Sequence, residues 1–363
     1  MDFPDAAVSA PPYFPEVGDR LGELRTLCAN CASMNTEADP SRPPIVGRPT
    51  LRGHIEIARM DHWFKNVFVI PGAVAAIAMD PAHVAPRLVQ RLVLGLVSVC
   101  LVASSNYVIN EVLDAPSDLS HPIKFARPVP AGTVSIPLAY VQWLLLMLTG
   151  VGIGCLVSIQ LAITVFVLWV MGCIYNIRPL RSKDLPYLDV LSEAVNNPLR
   201  MLAGWFIVGS ASVAPGSLLL SYWMVGCYFM AMKRFAEYRE IGDPIRAAAY
   251  RNSFKFYTED RLLVSIMFYG SAAMLFLGAF VMRYRLELIL SFPLIALVMA
   301  IYLLLGLKPN SSVQRPEGLY KEPLLMVAVI VCCVAVTVLM LVDIRGLANL
   351  VAPTAPIARA PIQ

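Results

Sequence analysis

About nine apolar stretches, each near the ~20 residues that carry a helix across a bilayer, constrain this chain more than any other feature. They fall at roughly 64–80, 88–110, 136–156, 159–177, 189–209, 217–236, 262–282, 286–306 and 323–343. Backbone inside lipid must satisfy its own hydrogen bonds, so segments of this length cross as helices. The first is interrupted by Pro71 and Gly72, and only Val157 and Ser158 separate the third from the fourth, which makes those two a tight helical hairpin. Of the 363 residues, 58% are hydrophobic and 15% charged, where a soluble domain carries about a quarter charged. The expected fold is an all-α, polytopic membrane bundle of about nine transmembrane helices over 53–345, with a polar, proline-rich and mostly disordered tail at 1–52 and a short tail at 346–363.

The loops alternate in charge. The N-terminal tail and the connections after the second, fourth, sixth and eighth stretches carry most of the Lys and Arg, and the opposite loops carry few. The positive-inside rule then puts the N-terminus in the cytosol and groups three connections, 110–127, 178–188 and 237–261, on the cytosolic face of the cell membrane. No early apolar segment resembles a secretory signal. Six cysteines lie in apolar runs and read as small buried hydrophobes, whereas Cys28 and Cys31 form a lone C-A-N-C in the tail. A net charge of +4 gives no reason to expect a nucleic-acid partner.

The chemistry concentrates in Asn110–Arg127, N-E-V-L-D-A-P-S-D-L-S-H-P-I-K-F-A-R. Carboxylates at the end of a membrane span are costly, so a function is the default expectation. Asn110, Asp114 and Asp118 are spaced i, i+4, i+8 and share one helix face. Oxygen ligands so placed suit Mg²⁺, which takes one or two carboxylates and leaves other positions to water and phosphate. Lys124 and Arg127 suit phosphate oxygens. Pro116 threatens the helix before Asp118, which would then hang from a kink. A second stripe, Asp189, Glu193, Asn196 and Arg200, runs along the fifth stretch and must face the bundle interior, with Asp189 reaching the site.

The pattern N-E-x-x-D-x-x-x-D followed by H-P-x-K-x-x-R-P resembles the first aspartate-rich motif of the UbiA superfamily of intramembrane prenyltransferases. R-M-D-H-W-F-K-N (59–66) resembles that family's entry to its first helix, and Y-N-I-R-P-L-R-S-K (175–183) its connection after the fourth. The resemblance implies a Mg²⁺-dependent transferase. Asn110, Asp114 and Asp118 would face the metal, Asp189 would join the catalytic set, and Lys65, Lys124, Arg127, Tyr175, Arg181 and Lys183 would contact substrate. Glu111 replaces the family's second-position Asp and points away, toward a supporting role.

Where the family carries a second D-x-x-x-D, this chain has Lys233 and Glu237 in M-K-R-F-A-E. That segment, with R-A-A-A-Y-R-x-S-F after it, resembles the decaprenyl-phosphate phosphoribosyltransferase-like branch. It implies that Lys233, Arg234 and Glu237, with Arg246, Arg251 and Lys255 beyond, hold a phosphate. The implied partners are the bilayer, a polyprenyl lipid phosphate and phosphoribosyl diphosphate, with a prenyl diphosphate and an aromatic acceptor as the alternative pair. Without the family, Lys233 and Arg234 also fit positive-inside anchors, and the carboxylates a transporter's ion path. A homo-oligomer remains open.

Overall fold

The computed structural model describes residues 47–347 apart from 85, 120–123 and 315. The tail cysteines, His121 and both chain termini lie outside the described residues. Every regular element among the described residues is helical. After α1 (Leu51–Ile57), a 3-10 run (Met60–Val69) leads into α2 (Ile70–Met79). Then come α3 (Leu88–Asp118), α4 (Ile136–Val157), α5 (Ile159–Asn176), α6 (Leu188–Ala194), α7 (Asn196–Ile207), α8 (Gly216–Ile241), α9 (Pro244–Tyr250), α10 (Glu259–Tyr284), α11 (Phe292–Leu307) and α12 (Pro323–Leu341). Among the described residues, seven helical runs are long and apolar enough to cross a membrane. The fifth and sixth expected spans fall outside that set. The fifth is broken into α6 and α7, and the last turns of α8 are crowded with charge.

The departures from expectation have local causes. Pro71 does not interrupt the first span; it occupies the first turn of α2, where a missing N–H leaves no bond unmade. Pro198 breaks the fifth span. Its ring would meet the carbonyl four residues back, at Ala194, so α6 stops there and α7 restarts at Asn196. The hairpin forms as expected. Ser158 closes α4 in an extended conformation and starts α5, its hydroxyl accepting from Leu161 N at 3.1 Å.

The helices close into a ring: α2 packs on α7, α3 on α4 and α5, α5 on α7, α8 on α10, and α12 returns to α2. Gly72 and Gly204 let α2 and α7 touch backbone to backbone, since a Cβ on either would collide with the main chain of Met201 or Val69. One apolar cluster fills half of the bundle, with Val99, Val102, Leu161, Val165, Met201, Phe206 and Ile207 at its centre. A second, around Met232, Phe235, Phe254 and Leu262, fills the other half. Helix α3 has 31 residues. At ~1.5 Å each it is about 46 Å long, well over the ~30 Å of hydrocarbon. The helix has turns to spare beyond the hydrocarbon, and its C-terminal turns carry Asn110, Asp114 and Asp118.

Candidate active site

A chamber of about 230 Å³ opens at that end, walled by α3, α5, α6, α7 and α8 and roofed by Lys124, Arg127, Tyr250 and Arg251. On the α3 wall, Asn110 and Asp114 face inward. Lys183 Nζ donates to Asp114 Oδ1 at 2.5 Å and Arg181 Nη2 at 3.2 Å, while Asn110 Nδ2 donates to Asp114 Oδ2 at 3.3 Å. Asn176 at the end of α5 ties the group together, its Oδ1 accepting from Asn110 at 2.5 Å and Lys183 at 3.0 Å. Burial pushes Lys183 below the ordinary lysine value, with Asp114 pulling the other way. Lys124 is lowered for the same reason, with Asp118 opposing.

Four expected site residues take other places. The helix passes through Pro116 unbroken, so Asp118 does not hang from a kink. Eight residues at 3.6 per turn leave it about 80° past Asn110. There it is buried and accepts from Arg127 Nη1 at 2.8 Å, so it positions a cation of the chamber instead of facing a metal. Asp189 is fully buried behind the wall. It accepts from Arg234 Nε at 3.1 Å, Ser253 Oγ at 3.1 Å and Tyr257 OH at 2.6 Å, and Arg251 Nε lies 3.4 Å away. That carboxylate fastens α6, α8 and the 251–257 segment together, and both its oxygens are occupied. Lys65 stands beside the Phe64 ring, 5.8 Å from its centroid, away from the chamber. Arg181 reaches Asp114 from outside the lining. Glu111 is buried and accepts from Val129 N at 3.1 Å, which anchors the 128–133 turn.

On the α8 wall, Lys233, Arg234 and Glu237 all line the chamber. Arg234 Nη1 donates to Glu237 Oε2 at 2.9 Å, and Tyr175 OH accepts from Arg251 Nη2 at 3.0 Å. Lys233 makes no hydrogen bond or ion pair with the described residues, so its charge is directed at the chamber. Arg251 joins the lining as expected, whereas Arg246 is exposed and lies 3.8 Å from Asp243, and Lys255 is exposed. The polar lining residues outside the quoted motifs are Asn106, Tyr107, Glu193, Asn196 and Arg200, and Asn176 and Tyr250 lie within motifs but had no assigned role. Asn106 could have been found by extending the i, i+4 stripe of α3 one turn back from Asn110. Glu193, Asn196 and Arg200 were visible as a stripe but had no assigned use.

The lining carries seven cations, Lys124, Lys183, Lys233, Arg127, Arg200, Arg234 and Arg251, against three carboxylates, Asp114, Glu193 and Glu237. An excess of cations of this kind suits polyanionic ligands. Among the described residues no group of three or more His, Cys, Asp or Glu is placed to hold a metal ion. Asn110 and Asp114 put one amide and one carboxylate a turn apart, an oxygen set that suits a Mg²⁺ completing its shell with water and phosphate; such an ion would replace the hydrogen bond that Asp114 Oδ2 accepts from Asn110.

A family model described as the UbiA prenyltransferase family matches residues 68–316. The chain belongs to that family. It is 30% identical over 210 residues to the decaprenyl-phosphate phosphoribosyltransferase of Mycolicibacterium smegmatis, covering 56% of this chain and 62% of that one. It is also 30% identical over 216 residues to the protein of the same name from Mycobacterium tuberculosis, covering 58% and 67%. The fold is that of a UbiA homologue from Archaeoglobus fulgidus bound to GPP and Mg²⁺, with TM-score 0.60 at 20% identity over 77% of this chain and 99% of that one. A digeranylgeranylglyceryl phosphate synthase structure superposes with TM-score 0.54 at 14% identity over 80% and 97%.

Proposed function

We propose that this chain is a Mg²⁺-dependent phosphoribosyltransferase of the cell membrane, working at a chamber on the cytosolic face. It transfers phosphoribosyl from phosphoribosyl diphosphate to a polyprenyl phosphate. The observation that carries the reading is the excess of cations in the chamber, with Lys233 unpaired on the wall opposite Asp114. Two phosphorylated substrates need more cationic contacts than a prenyl diphosphate and a neutral aromatic acceptor would. The relatives named above support the same substrate pair.

An oxygen of the lipid phosphate attacks the anomeric carbon, the bond from that carbon to the diphosphate breaks, and diphosphate leaves with the electron pair. The nucleophile is already an anion, so no general base is needed. Lys233 and Arg234 hold the lipid phosphate, and the Arg234–Glu237 pair fixes the guanidinium. Lys183, Lys124 and Arg127 hold the diphosphate and neutralise the charge that grows on it. Mg²⁺, when bound at Asn110 and Asp114, supplies further neutralisation of that leaving group. The test is purified protein in detergent with both substrate pairs, with and without Mg²⁺. Release of diphosphate from phosphoribosyl diphosphate and polyprenyl phosphate is expected. Turnover only with a prenyl diphosphate and an aromatic acceptor would refute the assignment.

A further inference from the structure

The deep end of the chamber is polar where a bundle interior would ordinarily be apolar. Ala103 lines it eleven residues before Asp114 on α3, so at ~1.5 Å per residue the chamber reaches about 16 Å below that carboxylate. Around this floor stand Asn106 on α3 and Asn196 and Arg200 on α7. Asn106 Nδ2 donates to the Leu168 carbonyl at 3.0 Å, yet its Oδ1 is buried without a donor. Asn196 Oδ1 is buried without a donor as well. Arg200 uses only Nε, which donates to Asn66 Oδ1 at 3.0 Å. Asn66 is itself oriented by donating to Cys100 Sγ at 3.1 Å. The two Nη atoms of Arg200 make no hydrogen bond with the described residues.

These features are built in. A Cβ at Gly172 would collide with the Asn106 carboxamide, so α5 is cut away to make room for that side chain. Acceptors left unmade and a cation deep in a membrane bundle are expensive, and proteins keep them where a ligand completes them. Two acceptors beside an open guanidinium fork call for a ligand that carries hydroxyl donors next to a phosphate. A prenyl chain offers neither.

We propose that this floor is a sugar-phosphate subsite. Asn106 and Asn196 accept from the ribose hydroxyls, and Arg200 takes the 5-phosphate, which leaves the diphosphate at the level of Asp114. The proposal rests on the phosphoribosyl reading above and names the residues that make it specific.

The test uses ribose 5-phosphate and inorganic phosphate as calorimetric probes of the full chain in detergent. The wild type is expected to prefer ribose 5-phosphate by about tenfold or more, the size of one or two hydrogen bonds. Asn196→Ala and Arg200→Gln should erase the preference, and Asn196→Ser, which keeps an acceptor, should retain most of it. Arg52→Gln, on the exposed face of α1 away from the chamber, should leave it intact. In turnover, the floor variants should raise the KM for phosphoribosyl diphosphate and spare that for polyprenyl phosphate. Equal affinity of the wild type for both probes, or floor variants that raise both KM values equally, would overturn the subsite. A floor-dependent preference without phosphoribosyl transfer would remove the assigned reaction and leave the subsite standing. Transfer with a preference indifferent to the floor would remove the subsite alone.

Discussion

The C-terminal ends of α3 and α8 face each other across one chamber with opposite polarity. At the α3 end a carboxylate, Asp114, looks into the space and accepts from Lys183, which shares the lining, and from Arg181 outside it. At the α8 end a cation, Lys233, looks in, and the nearby carboxylate, Glu237, is occupied by Arg234. A symmetric pair of carboxylate ends would suit one metal-bound diphosphate clamped from both sides. Under the proposed reaction the asymmetric pair would divide the labour, with metal and leaving group on the α3 side and a bare phosphate on the α8 side.

Substitutions at each end can break or sharpen this contrast. Asp114→Asn should have the largest effect, lowering kcat by about a thousandfold and flattening the Mg²⁺ dependence. Activity within tenfold of normal would take Asp114 out of the metal side. Asp189→Asn should act through stability, because Arg234 and Arg251 lose their shared buried counter-charge. Breaking such a pair costs about 3 kcal/mol, readable as a lower Tm. An unchanged Tm would show that the α8 end does not depend on that brace. Lys233→Met should raise the KM for polyprenyl phosphate about tenfold and hardly move that for phosphoribosyl diphosphate. Equal changes in both would make the two ends alike.

The smallest effect is on pH dependence. Burial lowers the Lys183 pKa, so its charge is present below that value and is lost on raising the pH earlier than for an ordinary lysine. The kcat/KM profile, which reports free-enzyme groups, should fall on its alkaline side accordingly. Lys183→Arg stays charged and should carry that limb to higher pH. A limb that does not move would place the titrating group elsewhere.

Much of this was readable in the chain. The apolar periodicity sets the bundle, and the i, i+4 spacing of Asn110 and Asp114 sets the inward stripe. Asp118 was misread because a stripe rule treats eight residues as a return to the same face, when the helix has turned about 80° further. Asp189 was misread because a buried charge signals a partner but not which side of the wall the partner is on. The floor needed three dimensions. Asn106 and Arg200 lie 94 positions apart, as 200 − 106, and only packing α5 and α7 against α3 brings them together. Pro198, which breaks the fifth span, was in plain view as a helix breaker four residues after Ala194.

The apolar cluster beneath the floor has a consequence for the cell. Past Ala103 on α3 come Val102 and Val99; past Leu168 on α5 come Val165 and Leu161; past Arg200 on α7 come Met201, Phe206 and Ile207. The chamber is therefore a dead end, stoppered by tightly packed hydrocarbon side chains. A membrane protein can thus keep a highly charged cup open at one end without short-circuiting the proton and ion gradients across the bilayer.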